Sequence, residues 1–166
     1  MSKAYFYLAG AIEAAKDSGV DWRADIAKFL KTELGANVFN PIDFDAETWP
    51  KYGFKLFDYE ALKAPENHEK AVDMIRELQI RDLDAITEDT THLLVYWTHA
   101  VQKGAGTVGE ITTFSYLTKA PIYMVMGDDI DPRTLPLWIQ ATRPLYFEGW
   151  EAFKDYIRSG AWKDDD

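Results

Sequence analysis

Short apolar runs alternating with longer amphipathic stretches constrain this chain more than any other feature. Ala4 to Ala9, Val38 with Phe39, His92 to Tyr96, Pro121 to Val125 and Arg143 to Phe147 are each brief and largely apolar or aromatic, with glycine, proline or polar residues near their ends. That is the pattern of buried strands. Between them lie stretches with helical spacing. Trp22 to Leu34 carries Ile26, Phe29, Leu30 and Leu34 on one face, with Asp21 as its expected cap and Gly35 as its stop. A longer helix is expected from about His68 to Ile86, burying Val72, Ile75, Leu78, Leu83 and Ile86. Thr107 to Leu117 and Trp150 to Arg158 complete the set, with shorter helical pieces at Phe54 to Leu62 and Leu135 to Ala141. Asn40-Pro41 closes the second strand, so Ile42 to Gly53 reads as an aromatic, acidic loop. Strands alternating with helices predict an α/β fold, a parallel sheet of about five strands covered on both faces. The 166 residues form one domain in this reading, with a frayed acidic tail at 163–166.

Composition narrows the partners. An apolar fraction of 47% supplies a core and argues against disorder. With 28 acidic against 18 basic residues the formal charge is −10, which repels phosphate backbones and disfavours a nucleic-acid polymer as partner. The chain has no cysteine, so disulfides, thiolate chemistry and Cys-ligated zinc are excluded. No apolar run approaches the ~20 residues of a membrane span, and no signal-peptide pattern precedes the first strand. A soluble cytoplasmic protein is expected. His68, His92 and His99 lack metal-ligand spacing, and Asp128, Asp129 and Asp131 depart from the calcium-loop template, so no metal is expected. The glycines after the third strand fail the dinucleotide fingerprint and the nucleoside-triphosphate loop is missing, so no cofactor is expected.

The chemistry concentrates around Gly104, Gly106, Thr107 and Glu110. A strand, a glycine turn and a helix's first turns follow one another here. Glycines permit close approach of a ligand to the backbone, and the helix terminus offers free N–H groups and partial positive charge. Glu110 would then face the cleft at the carboxyl end of a strand, where open α/β sheets bind ligands. A carboxylate so placed can attack an anomeric carbon. Asp82, at the edge of the long helix's apolar face, is a candidate for the matching acid/base group. Taken alone, Glu110 reads more simply as a surface carboxylate near a helix N-terminus, and Asp82 as a solvated helix carboxylate paired with Arg81 or Arg76. Tyr7 in the first strand needs a hydrogen-bond partner if buried and could hold Glu110. The loop after that strand, from Gly10 through Asp17 to Asp21, Trp22 and Arg23, reads either as a capped helix start or as a lid. In the second case Trp22 stacks on a base and a charged group fixes a polar edge.

Three ordered pieces resemble the nucleoside 2-deoxyribosyltransferase family and the related deoxynucleoside-monophosphate N-glycosidases. They are Tyr7-Leu8-Ala9-Gly10-Ala11-Ile12, Asp82-Leu83-x-x-Ile86 and Gly106-Thr107-x-x-Glu110-Ile111. The resemblance covers residue 5 to about 125. It implies a flavodoxin-like, Rossmann-like sheet and a double displacement. Glu110 would attack the anomeric carbon of a 2′-deoxynucleoside, Asp82 would handle the proton of the base, and Tyr7 would position the nucleophile. Gly10, Ala11 and Ile12 would border the substrate. A free nucleobase or water would accept the sugar, and a homo-oligomer would complete the site. Gly104 stands where the relatives carry a sugar-binding aspartate or a phosphate-binding serine, and Glu13 stands where the glycosidases carry a basic residue. Both changes remove phosphate contacts, so a free nucleoside is expected over a monophosphate unless Arg23 or Lys103 restores them. A monophosphate N-glycosidase and a non-catalytic nucleoside or nucleotide sensor remain the alternatives.

Overall fold

The computed structural model describes residues 3–165. Five strands form one parallel sheet: β1 (Tyr5–Gly10), β2 (Asn37–Phe39), β3 (His92–Trp97), β4 (Ile122–Met126) and β5 (Leu145–Glu148). Their spatial order is β2-β1-β3-β4-β5, the flavodoxin-like arrangement. The chain leaves β1 in one direction toward β2 and later returns to build β3, β4 and β5 on the other side. The crevice outside the carboxyl ends of β1 and β3 is therefore the topological switch point. Tyr7 pairs with Leu93 across that junction.

The described residues also form seven helices: α1 (Val20–Leu34), α2 (Pro41–Lys51), α3 (Tyr59–Lys63), α4 (His68–Glu88), α5 (Gly106–Leu117), α6 (Leu137–Gln140) and α7 (Gly149–Ser159). Because successive strand residues point to opposite faces, β1 feeds two cores. Phe6 and Leu8 pack with Ile26 and Leu30 of α1 and Phe153 and Ile157 of α7. Tyr7 and Ala9 pack with Ile86 of α4 and Ile111 and Phe114 of α5. Among the described residues no helix is long and apolar enough to cross a membrane.

Four expectations change. Ile42 to Gly53 is mostly helix. Asn40 accepts from the Ile42 N–H at 3.3 Å and Pro41 occupies the first turn, so Asn-Pro starts α2 where the sequence suggested only a stop. The buried face of α4 is Ala71, Met74, Leu78 and Ile86, while Val72 and Ile75 are exposed. The helix outruns the sheet, and its first half packs on Trp49 of α2 and on Phe54, a third core that depends on α2. Asp17, not Asp21, satisfies the start of α1, accepting from the N–H groups of Gly19 (3.0 Å) and Asp21 (3.2 Å). In the tail, Lys163 and Asp164 sit in a 3-10 turn, and Asp165 accepts from the hydroxyls of Tyr123 (2.6 Å) and Tyr156 (2.5 Å). Asp166 lies outside the described residues.

Candidate active site

Tyr7 and Glu110 lie 103 residues apart, and the fold joins them. The Tyr7 hydroxyl donates to Oε1 of Glu110 at 2.7 Å. Tyr7 is fully buried in β1, with its ring stacked on Phe39 at 5.1 Å, so the hydroxyl has little freedom to point elsewhere. Glu110 opens the second turn of α5 and is half-buried. Burial pushes its carboxyl up to about 7, against the pull of the Tyr7 hydrogen bond, with the nearby charge of Asp82 adding to the rise. Burial and the adjacent Glu110 push the Tyr7 phenol well above its usual range, so it remains a donor.

Asp82, on α4, belongs to the same electrostatic neighbourhood. Burial raises it to about 6 although Arg81 works the other way. The two carboxyl groups thus titrate around neutrality, and the charge of Asp82 contributes to the rise at Glu110. Two carboxyl groups that exchange protons near neutrality are the raw material of acid–nucleophile chemistry.

Asp45 carries no signal in the sequence, because its segment read as a loop, whereas Arg81 is one of the two arginines expected to pair with Asp82. Asp45 is 5% exposed on α2, and burial raises its carboxyl. Arg81 bridges it to Asp82: Nη2 lies 3.4 Å from Oδ1 of Asp45 and 2.5 Å from Oδ1 of Asp82.

Two kinds of glycine border this region. At Gly10 a Cβ would fall 2.8 Å from the Trp22 ring. At Gly19, with φ +69°, it would fall 2.1 Å from Arg23 Nη1. These glycines make room for Trp22 and Arg23. At Gly104, Gly106 and Gly109 a Cβ would meet nothing within 4 Å, and none has a positive φ. Neither packing nor conformation calls for glycine there. What these three provide is bare backbone in open space beside the start of α5.

Arg23 and Trp22 do not take the lid positions suggested by sequence. Arg23 is 1% exposed, and its guanidinium donates to the carbonyls of Gly10 (2.8 Å), Gly19 (2.9 Å) and Ala11 (3.4 Å). It ties the loop after β1 to α1, and burial lowers it to about 10. Its Nη1 and Nη2 donors face the chain's own carbonyls, so a phosphate finds no free fork here. Trp22 packs on Trp150 and Tyr96, ring centroids 5.4 Å from each, with Arg23 4.4 Å over its ring. That is a wall of the loop, on the α1 and α7 side of the sheet. Asp17 is a capping residue; its carboxyl is slightly desolvated, but backbone N–H bonds from Gly19 and Asp21 hold it below its usual value. Ile12 accepts from the Ala15 N–H in a turn at 3.1 Å. Glu13 pairs with Lys63 at the surface, and Thr107 is buried in the first turn of α5. Two surface recesses, one along Lys3, Tyr5, Lys31 and Asn37 and one along Glu33, Arg158 and Trp162, include none of the candidate site residues.

No family model matches the chain, and no curated protein matches it.

Proposed function

We propose that the protein is a nucleoside 2-deoxyribosyltransferase-like enzyme that cleaves or exchanges the N-glycosidic bond of 2′-deoxynucleosides. The observation that carries this reading is the Tyr7–Glu110 hydrogen bond with Asp82 in the same electrostatic neighbourhood, beside the unencumbered glycines of α5. Order and spacing of the three sequence pieces support it independently.

In this reading Glu110 attacks the anomeric carbon through its ionised oxygen while the bond to the base breaks. Asp82 gives its proton to the departing nitrogen, and a deoxyribosyl ester of Glu110 remains. As positive charge develops on the sugar carbon, Coulomb attraction favours the ionised form of Glu110 and leaves the shared proton on Asp82. A second base then loses its proton to Asp82 and displaces the ester, and both carboxyl groups return to their starting states. Water in place of the base gives hydrolysis by the same steps. Engagement of Arg23 by backbone carbonyls supports the free nucleoside over the monophosphate.

The enzyme acts in the cytoplasm on small molecules and takes no cofactor. It works as a homo-oligomer, a proposal supported by exposed apolar side chains on neighbouring helices: Val72 and Ile75 of α4, Tyr116 and Leu117 of α5, Leu137 and Trp138 of α6. Sedimentation velocity tests that part, and a monomer at micromolar concentration overturns it.

Incubation with deoxynucleosides, then deoxynucleotides, with and without a second base, tests the chemistry by chromatography of products. Exchange that needs the acceptor base supports a transferase, and free base without an acceptor supports a glycosidase. Binding without turnover supports the sensor instead. Glu110→Ala should lower turnover at least ~1,000-fold, the scale of losing a nucleophile; full turnover in that variant removes the assignment.

A further inference from the structure

Asp82 is held by the residue before it in the chain. Arg81 donates to its Oδ1 from Nε at 2.8 Å and from Nη2 at 2.5 Å. Consecutive side chains on a helix do not face each other, so this fork needs support from outside α4. The support is visible. The Asp45 carboxylate of α2 also accepts from Nη2, at 3.4 Å. The rings of Phe44 and Phe39 flank the guanidinium at 5.2 and 5.9 Å, and they stack on one another at 5.1 Å. Phe39 stacks in turn on Tyr7. One column of rings therefore seats both the hydroxyl that holds Glu110 and the guanidinium that holds Asp82. Nη1 of Arg81 is buried with no hydrogen-bond partner. A buried donor left without a partner is a cost to the fold, so local stability alone is a poor reason for an arginine here.

We propose that Arg81 is a positioning residue of this site: gripped by Asp45 and the Phe39–Phe44 stack, it orients the Asp82 carboxylate for proton exchange with the departing and incoming bases. The inference rests on the reading of Asp82 as the acid/base group. Both bonds from Arg81 fall on Oδ1, which leaves Oδ2 as the oxygen for the proton. The groups acting on Asp82 are Arg81 on its own helix, Asp45 on α2 and Arg23 on α1, with Glu110 on α5 and Tyr7 on β1 in the same neighbourhood. Arg81 leads those that favour the ionised form. Its removal makes Asp82 hold its proton to higher pH. A step that needs protonated Asp82 then persists to higher pH, while the carboxyl itself is less well oriented.

The experiment pairs a carboxyl carbon NMR titration of Asp82 with a pH profile of turnover, in the wild type, Arg81→Ala, Arg81→Lys and Asp45→Asn. In Arg81→Ala the Asp82 midpoint should rise by about one unit, the low end of what an adjacent opposite charge supplies. Turnover should fall ~10-fold with KM nearly unchanged, and the alkaline limb should move upward. Arg81→Lys keeps the charge without the fork, so it should restore most of the midpoint and little of the turnover. Asp82→Asn and Asp82→Asn/Arg81→Ala should turn over equally, because a residue acting through Asp82 has nothing left to act on. An unmoved Asp82 midpoint in Arg81→Ala, or multiplicative losses in the double variant, overturns the proposal. A wild type without turnover defeats the transferase reading, and the titration then decides the position of Arg81 by itself. Should Arg81→Ala fail to fold, Arg81→Lys and Asp45→Asn carry the same measurements.

Discussion

Glu110 is placed where a carboxylate destabilises its own fold. Its folded value of about 7 lies above the ordinary 4.5 because burial disfavours the charge. Folding stability from this group is fully present below about 4.5 and is lost as pH rises through about 7. Glu110→Gln removes the titration. It should leave stability nearly unchanged at pH 5 and raise it at pH 8, by on the order of 1 kcal/mol once partial exposure is allowed for. Thermal denaturation at the two pH values checks this without any substrate. Tyr7 works in the opposite sense, since its hydrogen bond favours ionised Glu110. Tyr7→Phe should move the acid limb of the turnover profile to higher pH and reduce turnover ~10–100-fold, the scale of one hydrogen bond to a charged group. An acid limb that stays in place would detach Tyr7 from the nucleophile.

At the scale of elements, α5 and α2 make the instructive contrast. The start of α5 was legible because a glycine cluster between an apolar run and an amphipathic one has few other meanings. The structure adds that Gly104, Gly106 and Gly109 have open space where a side chain would go. Gly104 has the extended φ of −132° that any residue adopts. Gly104→Ala should therefore leave stability unchanged or raise it by about 0.4–1 kcal/mol through the unfolded chain. The same change should raise KM for a nucleoside, measured by initial rates. A stability loss with unchanged KM would mark the glycine as structural. The α2 segment was illegible for a different reason. Asn-Pro is both a strand terminator and a helix start, and only the side chain of Asn40 folding onto the Ile42 N–H decides between them. Missing α2 then misphased α4, whose first half is buried by Trp49 and Phe54, and it hid Asp45 altogether.

Over the whole molecule, the order β2-β1-β3-β4-β5 brings the start of the chain beside its middle, and the end of the chain closes the other face. Tyr123 is fully buried in β4, and its hydroxyl reaches Asp165 at 2.6 Å, with Tyr156 of α7 sharing the same carboxylate oxygen. The acidic end is thus pinned to the core. Asp165→Asn weakens both bonds from charge-assisted to neutral acceptors and should lower stability by about 1 kcal/mol in chemical denaturation, leaving turnover unaffected. An unchanged midpoint would show that the tail contributes nothing to the fold.

Local pattern alone established the five strands, their alternation with helices and the placement of the glycine turn after β3; it made Glu110, Asp82 and Tyr7 candidates. Periodicity and turn chemistry are properties of neighbours along the chain, so a sequence displays them directly. Tertiary structure alone decided that Arg23 would tie down a loop, that Trp22 would line a wall, and that Asp45 would stand behind the Arg81–Asp82 pair. Those outcomes depend on which side chains meet after the sheet closes, and on how burial shifts charge among them. Residues separated by 36 positions between Asp45 and Arg81, or 103 between Tyr7 and Glu110, leave no shared periodicity for a linear reading to find.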